Sequence, residues 1–89
     1  MATVIISGQV RDFNQWKKVF EAAYEMRTAN GELSANIYQD QNDPNKVITI
    51  REWDSLQKAQ RYTQSPEFRQ AMQEAGAIGE PHFQFLNQL

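Results

Sequence analysis

The stretch Lys46-Val47-Ile48-Thr49-Ile50-Arg51-Glu52-Trp53, entered through Asp43-Pro44-Asn45 and left through Asp54-Ser55-Leu56, carries the clearest periodicity in the chain. Ile48 and Ile50 alternate against Val47, Thr49, Arg51 and Trp53, a period of two that predicts a strand with apolar side chains on both faces. Upstream, Asp40 to Asn45 reads as a turn, because Pro44 pre-sets φ and the Asp and Asn side chains bond the local backbone. Before the turn, Leu33 to Gln39 predicts a weaker strand with Leu33, Ala35 and Ile37 on one face, so the two strands form a hairpin. Downstream, Asp54 with Gln57 reads as a helix cap and its partner, opening a short helix through Leu56, Ala59 and Tyr62. Ser65-Pro66 restarts the helix, serine as cap and proline at the first helical position. Phe68, Ala71, Met72 and Ala75 make its apolar face. Gly76-Ala77-Ile78-Gly79 reads as a helix stop and turn, and His82 to Leu86 as the last strand.

Toward the N-terminus, Thr3 to Val10 predicts a strand with Val4, Ile6, Gly8 and Val10 opposite Ile5, Ser7 and Gln9. Asp12 and Gln15 cap a helix expected from about residue 12 to 29. Its stripe is Phe13, Trp16, Phe20, Ala23 and Tyr24, with Val19 and Arg27 flanking, and Asn30-Gly31 supplies the left-handed stop. Trp16, Phe20 and Phe68 are expected in the core. The order βαββααβ is that of an α+β, ferredoxin-like two-layer sandwich, with the helices on one face of the sheet. Residues 1–89 are expected to make a single domain. Ile5 opposes Val4 and Ile6, and Val47 and Trp53 oppose Ile48 and Ile50, so neither face is wholly polar and a face-to-face homodimer is the expected cover of the side without helices.

Composition narrows the function classes. The 89 residues include no cysteine, which removes disulfides, thiolate nucleophiles and thiolate metal sites. Nine basic and eleven acidic residues give net −2. A basic nucleic-acid footprint or a membrane-binding charge run is absent, and no apolar run approaches a membrane span. Met1 to Ile6 has no basic start and is too short for a signal peptide, so a cytoplasmic location is expected.

His82 is the only histidine, and no G-x-S-x-G elbow or ligand-spaced cluster accompanies it, so neither a triad nor a metal site is expected. The four glycines make no phosphate loop. Glu52 and Asp54 flank Trp53 like an acid–base pair, but Asp54 falls where the helix must start and reads as its cap. The aromatic residues have two readings. They fill the core, or they line a pocket between helices and sheet in which Arg51, Tyr62 or His82 orients a ligand. Trp53, at a strand end, and Tyr62, about two helical turns further on, would then be the wall and the polar point of that pocket.

The segment from Asp43 to Leu56, continued through Ala59, Tyr62, Ser65, Pro66, Phe68 and Arg69, resembles the antibiotic biosynthesis monooxygenase family of dimeric α+β barrels. Arg27, Gly31 and Tyr38 also fit its spacing. The resemblance implies cofactor-independent oxygenation of an electron-rich aromatic or quinone-like molecule, whose carbanion reacts with dioxygen. It places the family's strand-end tryptophan at Trp53. Tyr62 stands where many members carry a helical histidine. Some oxygenating members carry an asparagine shortly before the tryptophan, and Thr49 is the nearest uncharged polar residue here. Haem-degrading relatives need a first-strand asparagine, where Ser7 and Gln9 stand, and a helical histidine, whereas His82 is expected on the last strand. The expected catalytic residues are therefore Tyr62 and His82, and the expected substrate contacts are Trp53, Arg51 and Thr49, with no metal and no cofactor. The expected partners are a second copy of the chain and a small apolar or aromatic ligand. A non-catalytic ligand-binding or oligomerisation module of the same fold is the alternative.

Overall fold

The computed structural model describes residues 1–89. The strand periodicities are realised as β1 (Ala2–Val10), β2 (Glu32–Gln39), β3 (Lys46–Trp53) and β4 (Ala77–Leu86). They form one antiparallel sheet in the order β2-β3-β1-β4. Between β1 and β2 run α1 (Phe13–Ala22) and α2 (Tyr24–Ala29); between β3 and β4 run α3 (Leu56–Thr63) and α4 (Pro66–Glu74). Each crossover skips a strand, which gives the expected ferredoxin-like α+β sandwich.

β1 and β3 occupy the centre, and their inward residues anchor two apolar clusters. Val4, Ile6, Trp53, Ala59, Tyr62 and Phe68 form one. Val10, Trp16, Val47 and Ala75 form the other. Between Val47 and Trp53, β3 turns Thr49 and Arg51 toward the helices, and both are buried. The helix–sheet interface thus has a polar middle. On the outer face, Ile5 pairs with Ile50 and Ile48 with Tyr38, while Glu52 accepts a hydrogen bond from Thr3 Oγ1 at 2.9 Å. No helix is long and apolar enough to cross a membrane.

Several local expectations need correction. The first helix is two, broken at Ala23. The Phe20 carbonyl, which the Tyr24 N–H would use in a continuous helix, accepts instead from Ala23 N at 3.3 Å and from the Arg27 guanidinium. Tyr24 then points to solvent, 63% exposed, rather than joining the apolar stripe. Leu33 is also exposed, because the β2–β3 register shifts between Glu32 and Ser34 and puts Glu32 inward instead. The cap of α3 is Ser55, whose side chain accepts from Lys58 N, while Asp54 forms an ion pair with Lys58. That pairing holds the Asp54 carboxyl below its ordinary range. Gly76 stops α4 at φ +79°, but Ala77, Ile78 and Gly79 already belong to β4. A bulge absorbs the early start: Ser7 pairs with His82 and Gln9 with Ile78, and Gly79 sits within it at φ +71°.

Candidate functional site

Alternation in β3 puts Arg51 on the same face as Val47 and Trp53, so its guanidinium must lie among the helices. Three charged side chains meet there. Arg27 of α2 donates from Nε to Glu32 Oε1 at 2.9 Å, and Arg51 approaches Glu32 Oε2 at 3.6 Å. The three residues are 4%, 7% and 5% exposed in chain order. Glu32 Oε2 makes no hydrogen bond, so Arg27 is the carboxylate's close partner and Arg51 the distant one. Arg51 Nε donates to Thr49 Oγ1 at 3.0 Å, and Thr49 donates in turn to the Ile6 carbonyl at 3.3 Å. The Phe20 ring covers both cations, 3.6 Å from the Arg27 guanidinium carbon and 4.9 Å from that of Arg51. Burial lowers the Arg51 pKa to about 10, the Glu32 charge opposing that shift and the Arg27 charge adding to it.

Two cavities open onto this cluster. The first lies between helices and sheet, with Trp16, Phe20, Arg27, Arg51, Tyr62 and Phe68 in its wall. The space in it open to the centre of a water molecule is about 40 Å³. That holds a few waters and no aromatic ring. The second, about 30 Å³ by the same measure, adjoins the β4 bulge and touches Thr49, Arg51, Trp16 and Gly79. Arg51 belongs to both walls, and neither wall contains a carboxylate.

Tyr62 packs 5.4 Å from Trp53 and 5.6 Å from Phe68 between ring centroids. Burial raises its phenol pKa more than the nearby Arg51 and Arg27 charges lower it. The hydroxyl is therefore protonated at neutral pH, a donor and not a ready base. Trp53 is wholly buried behind Tyr62 and lines neither cavity, and its indole N–H has no hydrogen-bond partner.

Of the residues singled out in the sequence, Arg51, Thr49, Tyr62 and Trp53 are brought together on the inner face. His82 is not. It pairs with Ser7, whose alternation faces outward, and its side chain is exposed on the other side of the sheet. Phe20, expected in the core, is only half-buried and forms a cavity wall. Arg27 and Glu32 were not anticipated. The available signal was helical spacing: Arg27 lies seven residues after Phe20, about two turns along and at the edge of the apolar stripe, where a buried charge would need a partner.

A family model described as antibiotic biosynthesis monooxygenase matches residues 4–74. No curated protein matches the chain. Among solved structures, a putative antibiotic biosynthesis monooxygenase from Bordetella bronchiseptica superposes with a TM-score of 0.82 at 13% identity, covering 99% of this chain and 96% of that one. SnoaB, a cofactor-independent oxygenase from Streptomyces nogalater, gives 0.74 at 15% identity, covering 99% and 94%. The ActVA-Orf6 monooxygenase of Streptomyces coelicolor, solved with the ligand nanaomycin D, gives 0.70 at 18% identity, covering 99% and 87%. At these identities the likeness is one of fold.

Proposed function

The chain belongs to the antibiotic biosynthesis monooxygenase family, and from that premise we propose that it oxygenates a small aromatic substrate without a cofactor, in the cavity between Arg51 and Tyr62. The observation that carries this reading is the buried Arg51, turned by β3 into both cavities beneath aromatic walls. The reaction class suits such a site. An activated ring methylene loses a proton, its carbanion adds dioxygen, and the resulting peroxide loses water to leave a ring carbonyl. One oxygen atom ends in the product and the other in water. Negative charge develops on the substrate, and a fixed cation in a water-poor cavity stabilises it better than solvent does. Arg51 fills that role, Thr49 orients Arg51, and Tyr62 donates a hydrogen bond or proton to a ring oxygen. Trp53 supports the Tyr62 ring from behind. His82 has no part in this cavity, and the first proton must leave to solvent or to the substrate's own oxygens. SnoaB, a cofactor-independent oxygenase, and the ActVA-Orf6 monooxygenase support the reaction class by their shared fold.

We further propose that a second copy of this one-domain chain covers the outer face, where Ile5, Ile48, Ile50, Tyr38 and Leu86 lie together. Light scattering is then expected to give twice the 10.3 kDa chain mass at micromolar concentration. A cytoplasmic location is part of the same proposal.

The protonated state of Tyr62 favours a second reading, a ligand-binding module without catalysis, since no side chain in the cavity is a base at neutral pH. Oxygen uptake over a panel of dihydroxy-aromatics and anthrone-like ring methylenes separates the two. Uptake abolished by Arg51→Met supports the oxygenase. Ligands that bind and are recovered unchanged refute it.

A further inference from the structure

We propose that Arg51 recognises an anion, and that the ligand of the cavity is a flat aromatic carrying one ionised oxygen, its ring taking the shelf over the two guanidiniums that Phe20 now covers. The inference rests on the reading that this cavity is the ligand site, and adds the charge and shape of what enters it.

Charge balance is the first argument. Two arginines and one glutamate are buried together, so the cluster holds one positive charge in excess. A buried cation without a close counter-ion costs several kcal/mol unless something anionic joins it. The geometry identifies which arginine is unsatisfied. Arg27 is engaged by Glu32 Oε1 and by the Phe20 carbonyl. Arg51 makes one hydrogen bond, from Nε to a neutral hydroxyl, and its nearest carboxylate oxygen is beyond hydrogen-bond distance at 3.6 Å. Its remaining N–H groups face cavities whose walls contain no acid.

Shape is the second argument. Phe20 lies over both cations with its ring also 5.0 Å from Trp16. A flat surface over paired guanidiniums is therefore what this site already accommodates. The free volume is too small to admit a ring beside Phe20, so the ligand ring must displace it. Phe20 lies in the last turn of α1, three residues before the helical break at Ala23. The Tyr62 hydroxyl, kept protonated, would add a donor toward the same oxygen.

Calorimetric titration of the purified protein with 2-naphthoate, 2-naphthamide and octanoate tests each part. The naphthoate should bind roughly tenfold or more tightly than the isosteric amide, as expected for a hydrogen bond to a charged group. Octanoate, with charge but no ring, should bind more weakly than the naphthoate. Arg51→Met should erase the preference over the amide, and Arg51→Lys should retain part of it. The comparison in the parent protein needs no variant and stands even if a variant fails to fold. To separate an aryl carboxylate from an ionised phenol as the natural head group, 4-nitrophenol is titrated across neutral pH; its affinity should rise as it ionises, because Arg51 stays protonated well above that range. Equal binding of naphthoate and amide, no binding of naphthoate at millimolar concentration, or a preference that survives Arg51→Met overturns the inference. Charge-selective binding with no oxygen uptake by any aromatic leaves the anion site standing and removes the oxygenase reading. Uptake with charge-indifferent binding does the reverse.

Discussion

Replacing Glu32 with glutamine isolates the charge in the buried cluster. The amide keeps the size of the side chain and an oxygen for Arg27 Nε, now 2.9 Å away, so packing and one hydrogen bond survive. What is lost is the only negative charge between two buried guanidiniums. Removing one partner of a buried ion pair costs about 3–5 kcal/mol, because the remaining charge is neither hydrated nor paired. Here two like charges remain, which places the expected loss at the upper end. Unfolding entropy of about 2.1 cal/mol/K per residue makes each kcal/mol about 5 °C of Tm for a chain of this length, so the melting temperature should fall on the order of 15–25 °C. Differential scanning calorimetry at fixed protein concentration reads the shift, and urea unfolding gives it independently as a change in midpoint at constant slope. The double variant Glu32→Gln, Arg51→Met removes the repulsion and should recover most of the loss. A fall below about 5 °C for the single variant, or a double variant no better than the single one, would refute the view that the cluster is dry and that Glu32 is its sole counter-charge.

Three further outcomes follow from the same geometry. Arg51→Met in the ligand-free protein should be neutral or stabilising by about 1–3 kcal/mol in urea unfolding at pH 7, since a buried ion is exchanged for an apolar chain. The sign follows from its pKa: burial depresses the folded value from its ordinary one to about 10, so Arg51 opposes folding throughout the range below pH 10, and the opposition fades only as pH rises above 10 toward the unfolded value. Tyr62→Phe should change stability by no more than about 1–1.5 kcal/mol while lowering turnover or ligand affinity. The phenolate absorbance it removes should appear above pH 10, because the folded pKa is raised, and the stability that this neutral phenol contributes is present below pH 10 and lost as pH climbs through the raised value. Gly31→Ala should cost about 1–3 kcal/mol in the same urea assay, because Gly31 sits at φ +111° and its carbonyl accepts from Asp54 N at 2.8 Å, tying the start of β2 to the end of β3.

Much of the fold was legible because its elements obey local periodicity and capping. β3 follows its alternation from Lys46 to Trp53, and Ser65-Pro66 opens α4 as cap and first helical residue. Arg51 was named as a site candidate on its chemistry, but its direction was not legible, because both faces of β3 carry apolar side chains and only the burial of Val47 and Trp53 shows which one meets the helices. The misread features depend on partners distant in sequence. Arg27 sat on the edge of an apolar stripe and could be taken as solvated, until Glu32, turned inward by an irregular register, supplied its counter-charge. The helical break at Ala23, where the Phe20 carbonyl accepts from Ala23 N and the Arg27 guanidinium, is announced by no residue preference. Phe20 shares its stripe with the buried Trp16, yet it rests on cations rather than aliphatic neighbours, a distinction hydrophobic spacing does not carry. His82 was grouped with Arg51 on chemistry alone; its phase with Gln84, rather than with Phe83 and Phe85, would have set it on the outer face.

The bulge in β4 sets a rule for how this chain tolerates insertions and deletions. Between the pairs Ser7–His82 and Gln9–Ile78, two steps along β1 are matched by four along β4, an excess of two residues. Because that excess is even, the in–out alternation resumes in phase, and Phe83 still faces Ile6 across the ladder on the helix side. Removing one residue from Gly79-Glu80-Pro81 would exchange the two faces of every later position, sending Phe83 and Phe85 outward and drawing His82 and Gln84 against Phe68. Removing two would keep the phase and merely straighten the strand. Length variation in this segment should therefore be accepted in steps of two and rejected in steps of one.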